Sequence, residues 1–400
     1  MTRPLTMFAI LALSGLGLQA EAAPSYTVTR IGFGLEGTSL NDVGQVAGYR
    51  VDRSGSVQPF LYSPGLGVEI IGGPAARGYG WELNNRGQVA GEGGSATAFS
   101  GAFLYTPGAG VQRLVSGGDY SAGYGLNERG VVVGSWRVGH DNHAFIYRPG
   151  AGVQDIDAGH PRDSYAHAIN AAGQVVGFAY GNMHQPHAFV YTAEKGMVDV
   201  SGGYGYSVLW DINQHGVAVG DFGADLNSRR ATLVDTASGS VTPLPFSSEW
   251  LGFCQTQGLN DAGQVVGTSD YQSAGGVGLR AFLFDPGESR VLALDTLIDP
   301  ALGLSLVSAV DINNKGQILA TGDVRGGGFA AYVLTPVPEP ETMLLLAAGL
   351  VLLACRGRRA AGPADRIDLH PWPRRHAAHE AETRARGPDN DKQDWHASEH

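Results

Sequence analysis

The sequence predicts an all-β repeat protein, a seven-bladed β-propeller of four-stranded blades closed by an N-terminal strand. Three observations carry that expectation. The element Asn-x-x-Gly begins at Asn41, Asn84, Asn127, Asn170, Asn213, Asn260 and Asn313, in steps of 43, 43, 43, 43, 47 and 53 residues, and a period near 43 suits one four-stranded blade. Sixty glycines among 400 residues, 43% hydrophobic and only 16% charged, describe a folded, turn-rich chain. The seventh unit ends after three strands, at 331–334, while a strand without a unit, 26–31, stands ahead of the first. Pairing the two completes seven blades of four and removes an open sheet edge. An open β-solenoid is the alternative, because repeats alone do not close a ring.

Taken in order, the chain begins with a signal peptide at 1–22: Arg3, an apolar run over 7–18, then Ala20-Glu21-Ala22, the small-x-small pattern that signal peptidase cuts, here after Ala22. That run is short for a membrane span, and no stop-transfer pattern follows it. The repeat domain occupies 23–335. An apolar residue precedes each asparagine (Leu40, Leu83, Leu126, Ile169, Ile212, Leu259, Ile312). Asn-x-x-Gly suits a type I turn closed by a left-handed glycine, the asparagine side chain bonding the backbone two residues on. A second glycine follows at plus seven in six units and is Ala320 in the last. The third strand carries Phe60-Leu61-Tyr62, Phe103-Leu104-Tyr105, Phe145-Ile146-Tyr147, Phe189-Val190-Tyr191 or Phe282-Leu283-Phe284, and a Pro-Gly or similar turn leads to the fourth.

Charge and cysteine bound the setting. Between Ala23 and Pro338 there are 17 basic and 27 acidic residues, so nucleic acid is not an expected partner. Of the two cysteines, Cys254 lies in the repeat domain and Cys355 in an apolar tail segment. The folded part therefore has no internal disulfide and rests on packing, which a chain of this length can supply.

After the repeats, Val337-Pro338-Glu339-Pro340 leads into an uncharged stretch, 342–355, and then Arg356, Arg358 and Arg359. Fourteen uncharged residues fall below the ~17–25 of an ordinary spanning helix, and the arginines would hold their end in the cytoplasm. Residues 336–359 resemble the PEP-CTERM sorting signal of Gram-negative bacteria. The resemblance implies a short transmembrane segment that anchors the precursor transiently in the inner membrane, recognition by an exosortase, and release to the cell surface or the extracellular matrix of exopolysaccharide-producing cells. The chain departs from that pattern by running on through 360–400, a polar stretch rich in His, Arg, Asp and Glu that is read as a disordered tail.

A second resemblance rests on His143-Ala144-Phe145 and His187-Ala188-Phe189 at the start of the third strand, with Ala168-Ile169-Asn170, Asp211-Ile212-Asn213 and Asp311-Ile312-Asn313 at the first turn. These are similar to the HAF-repeat family of bacterial extracellular proteins. Other units depart from the tripeptide, with Gly101, Arg230 and Arg280 in the histidine's place. The resemblance implies a secreted repeat protein and supplies no catalytic residues.

Enzyme motifs fail on inspection. Gly32-Phe33-Gly34-Leu35-Glu36-Gly37 matches the dinucleotide fingerprint, but a strand and turn follow where a helix is required. Phosphate loop, Gly-x-Ser-x-Gly elbow and Cys-x-x-Cys pair are all missing from the sequence. His140-x-x-His143 and His184-x-x-His187 could hold a metal only with a third ligand such as Asp141. The repeated histidine is better read as bonding a neighbouring backbone, so no metal and no cofactor are expected.

Binding candidates come from fixed register. Three residues before the asparagine stand Thr38, Trp81, Tyr124, His167, Trp210, Gln257 and Val310; two before it stand Ser39, Glu82, Gly125, Ala168, Asp211, Gly258 and Asp311. If the first strands line the axis, Glu82, Asp211 and Asp311 face it on the side opposite Trp81, Tyr124 and Trp210. Indole faces stack on sugar rings and carboxylates take hydroxyl hydrogens. The alternative is that the aromatics pack between blades and the acids cap the turn. The favoured function is a noncatalytic surface or matrix protein that binds exopolysaccharide or another envelope component. A secreted glycoside hydrolase or lyase using two of the axial acids ~5–9.5 Å apart, and a structural spacer without a ligand, are the alternatives.

Overall fold

The first strand of each unit ends on an apolar residue, turns at Asn-x-x-Gly and returns as a second strand, and repetition of that hairpin builds the whole architecture. A computed structural model describes residues 25–338, apart from 96–100, 116–119, 158–161, 182–184, 274–275 and 325–327. It contains seven four-stranded antiparallel sheets. Blades 1 to 6 occupy 35–70, 76–113, 121–155, 164–199, 206–243 and 250–293, each with its strands in sequence order, and each first strand lies against the first strands of both adjacent blades. These first strands are therefore the inner ones. Blade 7 has three strands from 304–336, and its outer strand is Tyr26–Phe33, antiparallel to Gly328–Pro336 in the register Tyr26↔Pro336. The N-terminal strand closes the ring as the sequence predicts. It runs two residues beyond the expected 26–31, with an irregularity between Arg30 and Gly32. The main-chain N–H of Val337 donates to the Ser25 carbonyl at 2.8 Å, so the first residues of the tail begin as part of this sheet edge.

Closure is visible in the asparagines. Asn41 Oδ1 accepts from the N–H groups of Val43 (3.2 Å) and Gln45 (2.9 Å), while its Nδ2 donates to Gln45 Oε1 (2.8 Å) and to the carbonyl of Asn84 in the next blade (3.0 Å). The inter-blade bond recurs from Asn84 to Asn127, Asn127 to Asn170, Asn170 to Asn213, Asn213 to Asn260 and Asn260 to Asn313 at 3.1–3.2 Å. Asn313 donates back to Asn41 at 2.9 Å. Seven buried side-chain amides thus make one closed ring of hydrogen bonds, and an open solenoid is excluded.

Both repeat glycines have a steric reason. Those at plus three sit at φ between 71° and 83°, where other residues are strained. At plus seven, a Cβ would come within 1.9–2.3 Å of an inner-strand carbonyl in all six units, so the second strand can pack there only as glycine.

The core lies between blades. The interface between blades 3 and 4 joins Val133 and Ile146 to Ile169, Val175, Phe189 and Tyr191, and the one between blades 7 and 1 joins Leu319 and Val333 to Leu40, Val46 and Phe60. Phe60, Phe145, Phe189 and Phe282 are fully buried, each worth roughly 1.5–3 kcal/mol. Blade 5 has Thr232 at this position, and there Phe222 and Leu209 fill the interface with blade 4.

The histidines that open the third strands of blades 3 and 4 behave differently from the sequence expectation. His143 Nδ1 meets Asp155 Oδ2 at 2.8 Å and His187 Nδ1 meets Asp199 Oδ2 at 3.2 Å. Each ties the third strand to the fourth through a carboxylate, where a backbone partner was expected. Position 101, a glycine, lies against the Arg113 guanidinium instead. Two single 3-10 turns, Leu294–Leu297 and Pro300–Leu302, take up the extra residues ahead of blade 7.

Candidate functional site: the axial channel

Seven inner strands around one axis leave a channel whose lining is set by two adjacent register positions. Its two chambers share Thr38, Glu82, Trp210, Gln257 and Val310. One chamber, of about 500 Å³, holds Trp81, Tyr124 and Trp210 in its wall. The other, of about 200 Å³ and next to the asparagine ring, holds Glu82, Asp211 and Asp311. All six predicted residues therefore reach the axis. The carboxylates do not face away from the aromatics: the two layers are stacked along one channel, with Glu82 and Trp210 in both.

The aromatic layer is a continuous arc. Ring centroids run Tyr49–Tyr79 4.8 Å, Tyr79–Trp81 5.1 Å, Trp81–Tyr124 6.3 Å, Tyr124–His167 5.8 Å and His167–Trp210 4.6 Å, the last pair stacked at 7° between planes. Tyr165 and Phe178 stack behind it at 5.0 Å. Blades 6, 7 and 1 present Gln257, Val310 and Thr38 at the same register, so one side of the channel is aromatic and the other is not. All of these rings are half-buried.

Two neighbours fix Trp210. Its Nε1 donates to Asp221 Oδ2 at 2.8 Å, and Asp221 also accepts from Thr256 N (3.0 Å) and Oγ1 (3.1 Å). Burial pushes the Asp221 carboxyl up to about 6. Trp81 occupies the same register in blade 2, yet its Nε1 is buried without a hydrogen-bond partner among the described residues. His167 Nδ1 lies 3.0 Å from the Leu209 carbonyl, which can only accept, so the proton is on Nδ1 and Nε2 is an acceptor. Burial holds its pKa down at about 4, and the ring is neutral at pH 7.

The acidic layer begins with a backbone problem. An inner strand has no neighbour on its axial edge, so the N–H of the residue before the asparagine points at the channel. Asp311 accepts from Ile312 N (2.7 Å) in its own blade and Leu40 N (2.6 Å) in the next; Asp211 does the same with Ile212 N (2.7 Å) and Leu259 N (2.8 Å). Glu82 takes bonds from Ser39 Oγ (2.8 Å) and Leu83 N (3.2 Å) on Oε1. Its Oε2 carries no protein hydrogen bond among the described residues. Burial raises all three carboxyls, Asp211 to about 7, Asp311 to about 6 and Glu82 well above the usual range; the charge on Asp311 adds to the rise at Asp211 and Glu82. No group of His, Cys, Asp and Glu among the described residues is placed to hold a metal ion.

Sequence reasoning missed Tyr79, Tyr165 and Phe178 and found no use for His167. The signal was available: Tyr79 and Tyr165 stand five before the repeat asparagine, Phe178 eight after it, and His167 shares the register of Trp81.

Comparison with known proteins adds address and fold. Residues 336–359 match the PEP-CTERM protein-sorting motif, which marks an exported, surface-associated protein processed by exosortase. The sorting residues Pro338 and Val337 are at the end of the described chain; Glu339, Pro340, Arg356, Arg358 and Arg359, with the expected short transmembrane segment, the 360–400 tail and the signal peptide, lie outside the described residues. No helix among the described residues is long and apolar enough to cross a membrane. No curated protein matches the chain in sequence. Among solved structures the chain is similar to a prolyl endopeptidase (9% identity, TM-score 0.51, 79% of this chain and 51% of that one). It is also similar to TolB from Acinetobacter baumannii (11%, 0.45, 64% and 62%) and to virginiamycin B lyase from Staphylococcus aureus (10%, 0.46, 78% and 100%). The chain thus spans half to two-thirds of the first two. At 9% identity the likeness to the prolyl endopeptidase speaks for the fold alone, and by its sorting motif and its seven sheets the chain is an exosortase-sorted extracellular protein built on a seven-bladed β-propeller.

Proposed function

We propose that the propeller is a noncatalytic binding module whose axial channel takes sugar units of an exopolysaccharide or another envelope glycan. The supporting observation is the arc from Trp81 through Tyr124 and His167 to Trp210 along one side of a chamber of about 500 Å³. Indole and phenol faces stack on the apolar faces of pyranose rings. Opposite them, Gln257 and Thr38 provide polar groups for hydroxyls. The setting agrees with the export motif: in this reading the precursor is held transiently in the inner membrane of a Gram-negative cell, and its repeats are of the HAF type. The test is retention of the full chain on immobilised exopolysaccharide from an exosortase-bearing host, beside Trp81→Ala. Retention by the parent and its loss in the variant, with no sugar released, is the expected result. Equal retention by both would overturn the assignment of the site.

A second reading, glycoside hydrolysis or elimination, is favoured by one observation, the raised carboxyls of Glu82, Asp211 and Asp311 in one chamber. Against it, both oxygens of Asp211 and of Asp311 are held by main-chain N–H groups. Release of reducing ends or unsaturated products by the parent and not by Glu82→Gln would establish it.

A further inference from the structure

Resting on that reading, we infer that the sugar taken by the channel carries a free ammonium group: the ligand class is an amino sugar, or a polymer of amino sugars, with unacetylated amines.

The charge around the channel carries the inference. Among the described residues the lining of its two chambers includes Asp42, Glu82, Glu128, Asp211, Asp261 and Asp311 and no lysine or arginine. His167, the one imidazole in the wall, gives its Nδ1 proton to a carbonyl and is uncharged. Uronate, sulfate or phosphate groups would meet like charge without a compensating cation, in a site where water screens poorly. A neutral glycan would be accepted by the aromatic arc alone and would leave Glu82 Oε2 at its foot without a contact.

The aromatic arc points the same way independently. Electron-rich ring faces attract an ammonium, most strongly those of tryptophan, and Trp81, Tyr124 and Trp210 line the same chamber from blades 2, 3 and 5. An aromatic wall that ends on a carboxylate is complementary to a ring with an apolar face and a positive substituent. Glu82 is the residue placed for the second contact. It borders both chambers, it is next in sequence to Trp81, and its Oε2 is uncommitted while Oε1 is anchored by Ser39. Asp211 and Asp311, tied on both oxygens to main-chain N–H groups, are not free for direct contact. A primary ammonium would donate to Glu82 Oε2 while its ring lies on the Trp81 face.

The test compares two uncharged-to-charged partners of one shape. Titration calorimetry of the full chain at pH 6.5 with a β-1,4-linked glucosamine hexasaccharide and with its fully N-acetylated counterpart is the primary measurement, alongside Glu82→Gln, Trp81→Ala and a hexalysine control. Glutamine keeps the shape and an oxygen for Ser39, and thermal melting shows whether each variant is folded. The expected result is binding of the free-amine oligomer at least about tenfold tighter than the acetylated one, a difference erased by Glu82→Gln and binding lost in Trp81→Ala. Equal binding of the two oligomers, or preference for the acetylated one, overturns the ammonium assignment and leaves the glycan reading in place. Binding of hexalysine as tight as glucosamine, or glucosamine binding that persists in Trp81→Ala, overturns it as surface attraction to an acidic protein. Binding of neither oligomer, in a chain that also fails to be retained on host polysaccharide, overturns both.

Discussion

Three residues separate the asparagine from the aromatic position on every inner strand, and the two layers differ in kind. The asparagine layer is the same residue seven times, and its amides pass one hydrogen bond from blade to blade until Asn313 returns to Asn41. The layer three residues earlier is Thr38, Trp81, Tyr124, His167, Trp210, Gln257 and Val310, nearly a different side chain in each blade. Identical geometry repeated around an axis has one best solution for a buried polar ring, since an unpaired amide there costs about 1–3 kcal/mol. No such demand acts on side chains that face a cavity. Uniformity marks what holds the ring together, and variation at fixed register marks where a ligand can be read.

The sharpest way to break the uniform layer is to open the ring. Removing the strand Tyr26–Phe33 exposes the edge of Gly328–Pro336 along its whole length; the expected outcome is loss of the cooperative thermal transition and association in size-exclusion chromatography. Next in size, Asn127→Ala strands the carbonyl of Asn170 and the N–H groups of Arg129 and Val131. A loss of about 3 kcal/mol in urea unfolding is expected, with binding per folded molecule unchanged.

In the variable layer the two tryptophans are expected to separate. Trp210→Ala leaves buried Asp221 without its indole donor, whereas Trp81→Ala removes an N–H that has no partner among the described residues. Trp210→Ala should therefore be the less stable variant by about 1–2 kcal/mol, and both should lose ligand. Acid pH probes the boundary between the layers. Asp211, Asp311 and Glu82 have folded pKa values above their unfolded ones, so the folded chain holds more protons and stability falls as pH rises from about 4 to 7. His167, depressed to about 4, acts in the opposite direction between 4 and 6.5, one group against these three and Asp221, itself raised to about 6. The melting temperature is thus expected to be higher at pH 5.5 than at pH 7.5, with a smaller difference in Asp211→Asn.

The smallest effect comes from a second, incomplete ring. The residue after each asparagine offers its N–H to the side chain of its counterpart in the next blade: Asp42 to Asn85, Asn85 to Glu128, Ala171 to Gln214, Gln214 to Asp261, Asp261 to Asn314 and Asn314 to Asp42. Glu128 finds Ala171, which has no acceptor. Ala171→Asn is expected to complete the ring and add about 0.5–1 kcal/mol.

Much of this is legible in the sequence. The period gives the blade count, the stray strand gives the closure, and register alone places Trp81, Tyr124, Trp210, Glu82, Asp211 and Asp311 on the axis. What the period conceals is every contact between blades. That Asn313 bonds Asn41, 272 residues away, and that Phe222 takes the place of the phenylalanine absent at Thr232, follow from packing of neighbours and not from any one unit. The acids were the hardest to read. Their main-chain partners exist only because a propeller leaves its innermost strand edge facing a channel.

The most direct measurement sets the two layers side by side: retention of the full-length parent, Trp81→Ala and Asn127→Ala on host exopolysaccharide, at a temperature where melting curves show all three folded. Retention of Asn127→Ala with the parent and loss of Trp81→Ala alone is the predicted result. Retention of Trp81→Ala equal to the parent would contradict the account.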